Sequence, residues 1–128
     1  MANAETGTRT FSAPTTGIVV DDNGLILTPK RATIVASSSG VTSVVGAVTG
    51  KKIRVLSFAV SANAAVNVKF QSATTPTDLT GLMYLTDKAG FGASFSPAGH
   101  FETIAGEQLS INLSGAVAVG GFLTYVEA

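Results

Sequence analysis

The chain has no cysteine and no tryptophan, and its 128 residues include a single histidine. Without cysteine there is no disulfide framework, no thiolate metal site and no cysteine nucleophile. With one histidine, His100, no His-based triad partner and no two-histidine metal site can form within one chain. Charge is scarce as well. Only 12% of residues are charged, against an average of about 25% for soluble domains, and eight basic residues balance eight acidic ones. A chain with no positive excess has little long-range attraction for polyphosphate, which argues against nucleic acid as a partner. Apolar runs are broken by Ser, Thr, Asn or Gly within about ten residues, far short of the roughly twenty a membrane helix needs. The first seventeen residues, MANAETGTRTFSAPTTG, show no basic start followed by an apolar core, so no secretory leader is expected.

What is present is β-pattern. In Lys51 to Gln71, KKIRVLSFAVSANAAVNVKFQ, the residues Leu56, Phe58 and Val60 alternate with Val55, Ser57 and Ala59. After a turn at residues 61–64, Val66, Val68 and Phe70 alternate with Asn67, Lys69 and Gln71. Strand side chains point to opposite faces in turn, so this marks two strands, each with one packed face. Leu109, Ile111 and Leu113 alternate in the same way with Gln108, Ser110, Asn112 and Ser114. Strands are predicted over residues 32–36, 41–45, 53–61, 65–71, 82–85, 92–95, 108–113 and 117–126. Ser39-Gly40, Thr49-Gly50, Ala105-Gly106, Ser114-Gly115 and similar pairs punctuate them. Gly120-Gly121 in the last strand predicts a bulge or a close backbone approach. A helical turn over residues 77–85, capped by Asp78, is the one exception allowed, and Gly81 counts against a full helix.

The expected fold is all-β, a two-sheet β-sandwich of jelly-roll-like form with an extended N-terminal arm. Residues 1–30 form the arm and residues 31–128 the sandwich. Within the arm, residues 1–16 are small and polar around Phe11 and Pro14, and cannot build a core of their own. A short hairpin follows, with residues 17–20 and 25–28 flanking Asp21-Asp22-Asn23-Gly24. That acidic turn lacks the alternate spacing and distal glutamate of a calcium loop.

Motifs for chemistry fail one by one. His100-Phe101-Glu102 matches the H-x-E of zinc deaminases, but the P-C-x-x-C it requires is absent. Gly90-Phe91-Gly92 lacks the third glycine and the helix of a nucleotide loop. Asn112-Leu113-Ser114 is a formal glycosylation sequon within a strand. Lys51, Lys52 and Arg54 form a small basic cluster, either a solvated turn or a partner's salt-bridge site. Phe91, Phe95 and Phe101 surround a Gly/Pro/Ser-rich loop, with Tyr84 and Tyr125 as further members. These rings either stack on a sugar or anchor a protein interface, or they plug the end of the sandwich.

Gly50-Lys51-Lys52-Ile53-Arg54-Val55, Val68-Lys69-Phe70-Gln71-Ser72, Leu79-Thr80-Gly81, Gly99-His100-Phe101-Glu102-Thr103 and Gly121-Phe122-Leu123-Thr124-Tyr125-Val126-Glu127 resemble a family of small β-sandwich proteins encoded among the structural genes of tailed bacteriophages. Its members look like capsid decoration, or cement, proteins. The resemblance runs from Arg31 to Ala128. It implies trimers on the outside of an icosahedral head, the major capsid protein as partner, a virion location after synthesis in the host cytoplasm, and no enzymatic activity. No cofactor, metal, small-molecule substrate, nucleic acid or membrane is expected. Candidate partner contacts are Arg9, Phe11, Arg31, Lys51, Lys52, Arg54, Phe91 and Phe95. Low charge and a mean hydropathy of +0.40 also favour self-association. The alternatives are a carbohydrate- or receptor-binding module of a tail fibre or base plate and, behind it, a bacterial adhesin.

Overall fold

A computed structural model describes residues 19–21, 23–73 and 76–128. Twelve strands follow one another: β1 Val19–Val20, β2 Ile26–Leu27, β3 Lys30–Ala36, β4 Gly40–Val45, β5 Ile53–Ala62, β6 Val66–Ser72, β7 Thr77–Asp78, β8 Met83–Leu85, β9 Gly90–Ala93, β10 Phe101–Glu102, β11 Leu109–Leu113 and β12 Val119–Glu127. All pairings among them are antiparallel. One main sheet runs β10-β5-β12-β3, with β9 also on β5; the other runs β4-β11-β6-β7, with β8 also on β6. The chain changes sheet at β3 to β4, β4 to β5, β5 to β6, β8 to β9, β10 to β11 and β11 to β12. That double Greek-key order is a jelly roll, as the alternation predicts.

The two inner faces meet in one core. Ile34, Ile53, Val55, Phe58, Val60 and Leu123 come from one sheet, and Val66, Val68, Phe70, Leu109, Ile111 and Leu113 from the other; all are buried. Rings tie the layers together. Phe58 stands edge-on to Phe70 at 5.3 Å and to Phe91 at 5.6 Å, and Phe101 lies 5.1 Å from Phe70. Such ring pairs add about 0.5–1.5 kcal/mol beyond the area they bury.

Two expectations change and a third is met. The alternation through residues 55–60 breaks at a bulge, where Thr124 faces Ser57 but Tyr125 faces Val55. The extra residue is Leu56, so Val55 and Phe58 both point inward while Leu56 turns to the outer face. The helical turn over 77–85 is replaced by β7 and β8, both on β6. Asp78 does not cap a helix; it accepts from Gln71 Nε2 (2.7 Å) and pairs with Lys69 (3.1 Å). The Gly-Gly pair gives the close approach, since a methyl on Gly121 would overlap Ala59 O and lie 2.9 Å from Val60 Cα.

The small hairpin of β1 and β2 packs over the outer face of the β5-β12 sheet. Val19, Leu56 and Val126 are fully buried there, with Leu27 against them. Its turn is held by Asp21 Oδ1, which accepts from the N–H of Asn23 (2.8 Å) and of Leu25 (2.9 Å). Gly24 supplies the left-handed residue at φ 82°.

Candidate interaction surfaces

The basic cluster sits where β5 begins. Register places Glu102 of β10 opposite Arg54 of β5. Arg54 Nε donates to Glu102 Oε1 at 2.9 Å, and Lys52 Nζ reaches Glu102 Oε2 at 3.2 Å. Partial burial pushes the Glu102 carboxyl up, but its bonds to Arg54 and Lys52 outweigh this and hold it below the usual value. Directly behind, Thr103 Oγ1 accepts from Ile53 N (2.9 Å) and Thr103 N donates to Ile53 O (3.0 Å). The cluster therefore straps β10 to β5. Arg54 is largely enclosed, its side chain 13% exposed, whereas Lys51 projects outward beside a groove of about 230 Å³ that also touches Asp21 and Asn23. Glu102 is the member that composition hid, because its partners lie some fifty residues earlier.

The aromatic group divides. Phe91 and Phe101 are part of the core through Phe58 and Phe70, and Tyr125 packs partly against it. Phe95 stays exposed in the loop after β9, and Tyr84 stands 75% exposed on β8, in the other sheet. Phe91 and Tyr84 thus belong to different sheets, and Phe95 to the loop between β9 and β10. His100 closes the intervening loop, with Nε2 2.7 Å from Ser94 O and its backbone N–H donating to Val55 O at 2.8 Å. Arg31 is exposed on β3 opposite Thr124. Arg9 and Phe11 lie outside the described residues.

The two outer faces differ sharply. On the β4-β11-β6 sheet the outward side chains of β6 and β11 are polar and bonded to one another, Gln71 holding Asn112 (3.1 Å) and Asp78 and Lys69 also holding Asp78, while Val41 on β4 and Tyr84 on β8 stand exposed on either side of them. The Gln71 and Lys69 bonds lower the Asp78 pKa. On the β3-β12-β5 sheet, Val35 is 73% and Phe122 57% exposed, and the hairpin above adds outward Val20, Leu25 and Ile26. Beside Phe122 the outward positions are small (Ala59, Gly92, Gly120, Ser61), and a groove of about 470 Å³ opens between Val35, Gly120, Ser61, Asn63 and Lys88. The outward Phe122 was readable from parity, since Val119 and Leu123 point inward on the same strand.

Among the described residues, no group of three or more His, Cys, Asp or Glu could hold a metal ion, and no helix is long and apolar enough to cross a membrane. No protein-family profile and no curated protein matches the chain. Among solved structures it is similar to the virus-like particle of the extra small virus of the giant freshwater prawn Macrobrachium rosenbergii, at 16% identity over 100% of this chain and 94% of that one, with a TM-score of 0.37. A superposition that loose does not bear on function.

Proposed function

We propose that this chain is a structural protein of a virion, of the capsid-decoration type, that works by fit and not by catalysis. The observation that carries the reading is the apolar outer face of the β3-β12-β5 sheet, which displays Val35, Phe122 and the outward side of the hairpin, whereas the opposite face centres on the mutually bonded Gln71, Asn112, Asp78 and Lys69, with Val41 and Tyr84 at its sides. Exposed apolar surface of that extent marks contact with other protein. A jelly roll alone would not say so, because one fold serves many functions. The charge-poor composition and the resemblance to phage decoration proteins point the same way. On this reading the partners are the major capsid protein and further copies of the chain, arranged as trimers on the outer surface of a head. A sugar-binding module is less well supported, since Phe91 is committed to the core, Tyr84 stands on β8 and Phe95 lies in the loop after β9 of the other sheet. The test is the copy number in purified particles. Hundreds of copies per particle support the proposal; a dozen or fewer make this a tail or fibre component.

A further inference from the structure

We infer that the outer face of the β3-β12-β5 sheet is where two copies of this chain meet, with Phe122 of one copy seated in the groove between Val35, Gly120 and Ser61 of the next. The inference rests on the reading of the chain as an assembly protein, and it names the surface and the occupant.

Ring and groove lie on the same face, two residues apart along β12, and both are open. Phe122 presents its ring outward, 57% exposed, next to a depression of about 470 Å³ whose floor is made of small residues. Gly120 and Ser61 form that floor because β12 and β5 pair there directly. The far wall is fixed: Lys88 adopts a left-handed backbone (φ 60°) and its ammonium bonds both the side chain and the carbonyl of Asn63. A projecting ring beside a preformed hollow is self-complementary. It closes as a pair in which each ring fills the other's hollow, or as a ring of three in which each copy fills the next.

The size is adequate. Val20, Leu25, Ile26, Val35 and Phe122 are each between 42% and 75% exposed. Summed over the five residues this is on the order of 500 Å² of open side-chain surface, against the ~800 Å² each partner buries in a standard interface, so polar groups around Phe122 and the groove complete the contact. Charge does not oppose the contact. The net charge is zero, and near Phe122 the cations are Arg31, further down β3, and Lys88, engaged with Asn63. A buried aromatic anchor in a pocket is the usual centre of a binding hot spot.

The experiment is sedimentation of the full chain across micromolar concentrations, together with Phe122→Glu, Val35→Glu and, on the outer face of the other sheet, Tyr84→Glu. Urea unfolding checks that each variant folds. The expected result is a self-associating parent and Tyr84→Glu variant, with association weakened tenfold or more in the two outer-face variants. Because the chain has no cysteine, mixing Phe122→Cys protein with Ser61→Cys protein should give a mixed disulfide dimer on mild oxidation. A parent that stays monomeric at high micromolar concentration, or a Phe122→Glu variant that associates like the parent, overturns the inference. Binding to purified shells is read in parallel. A monomeric parent whose shell binding is lost in Phe122→Glu would assign this face to the shell, overturning the inference while leaving the decoration role intact. Self-association through Phe122 without any shell binding would do the reverse.

Discussion

Arg54 and Glu102 face each other across the β5-β10 pair, with Nε 2.9 Å from Oε1. Together with the Lys52–Glu102 pair and the bonds of Thr103 to Ile53 and of His100 to Val55, this contact holds a two-residue strand onto the long central strand. Gly99 sits directly on the Arg54 side chain, where a Cβ would come within 2.8 Å of its Cδ.

An acid-sensitivity prediction follows from that pair. The Glu102 pKa is held below its ordinary value, so the carboxylate adds stability above the unfolded-state pKa, about 4.3, and this is lost as pH falls through the folded-state value. Asp78, lowered by Gln71 and Lys69, acts with the same sign. Urea midpoints measured against pH should fall on acidification, and Glu102→Gln should flatten the acid limb. An unchanged limb in that variant would assign the loss to other carboxylates.

Phe70 and Ile111 face one another in the β6-β11 register, both fully buried. Phe70→Ala and Ile111→Ala should each cost about 2–5 kcal/mol in urea unfolding. Phe122→Ala, on the outside, should stay within about 0.5 kcal/mol for the monomer. Equal effects at all three positions would mean that inner and outer faces have been misassigned.

Glycine substitutions should separate by surroundings. Gly121→Ala places a methyl against the β5 backbone and should cost about 1–3 kcal/mol, as overpacking does. Gly115→Ala meets nothing within 4 Å and should be close to neutral. Thermal midpoints of the two variants give the comparison directly.

His100→Ala should leave assembly intact, at a cost of about 1 kcal/mol for the lost bond to Ser94 O. Three copies around a threefold axis could in principle supply three imidazoles to one zinc ion. Metal analysis of dialysed protein should find no stoichiometric zinc; one-third of an equivalent per chain, lost in the alanine variant, would reverse the assignment of this histidine to loop closure.

The eight longer strands could be read from the chain because a half-buried strand imposes a period of two on side-chain polarity. Val66, Val68 and Phe70 obey it without a break. β7 and β10 left no such trace. Two residues cannot show a period, and both strands exist only because β6 and β5 offer edges to pair with. The face of Leu56 was hidden for another reason. Its bulge is set by how β12 lies against β5, a contact some seventy residues away in sequence. The basic cluster was visible as three cations, but not as a strap, because Glu102 joins it only through the register of a strand that periodicity could not reveal.

The position of β12 constrains how the molecule is made. It lies between β3 and β5, so β3 has no neighbour in its sheet until the twelfth strand arrives, and β5, paired on its other edge by β9 and β10, keeps one edge open until then. Their unsatisfied edges, including the uncharged run Thr33 to Ala36, stay open to other nascent chains during that interval. Synthesis at high concentration therefore carries a hazard on the ribosome that the folded molecule no longer shows. Slowing elongation before residue 119 should raise the insoluble fraction without changing the stability of the molecules that do fold.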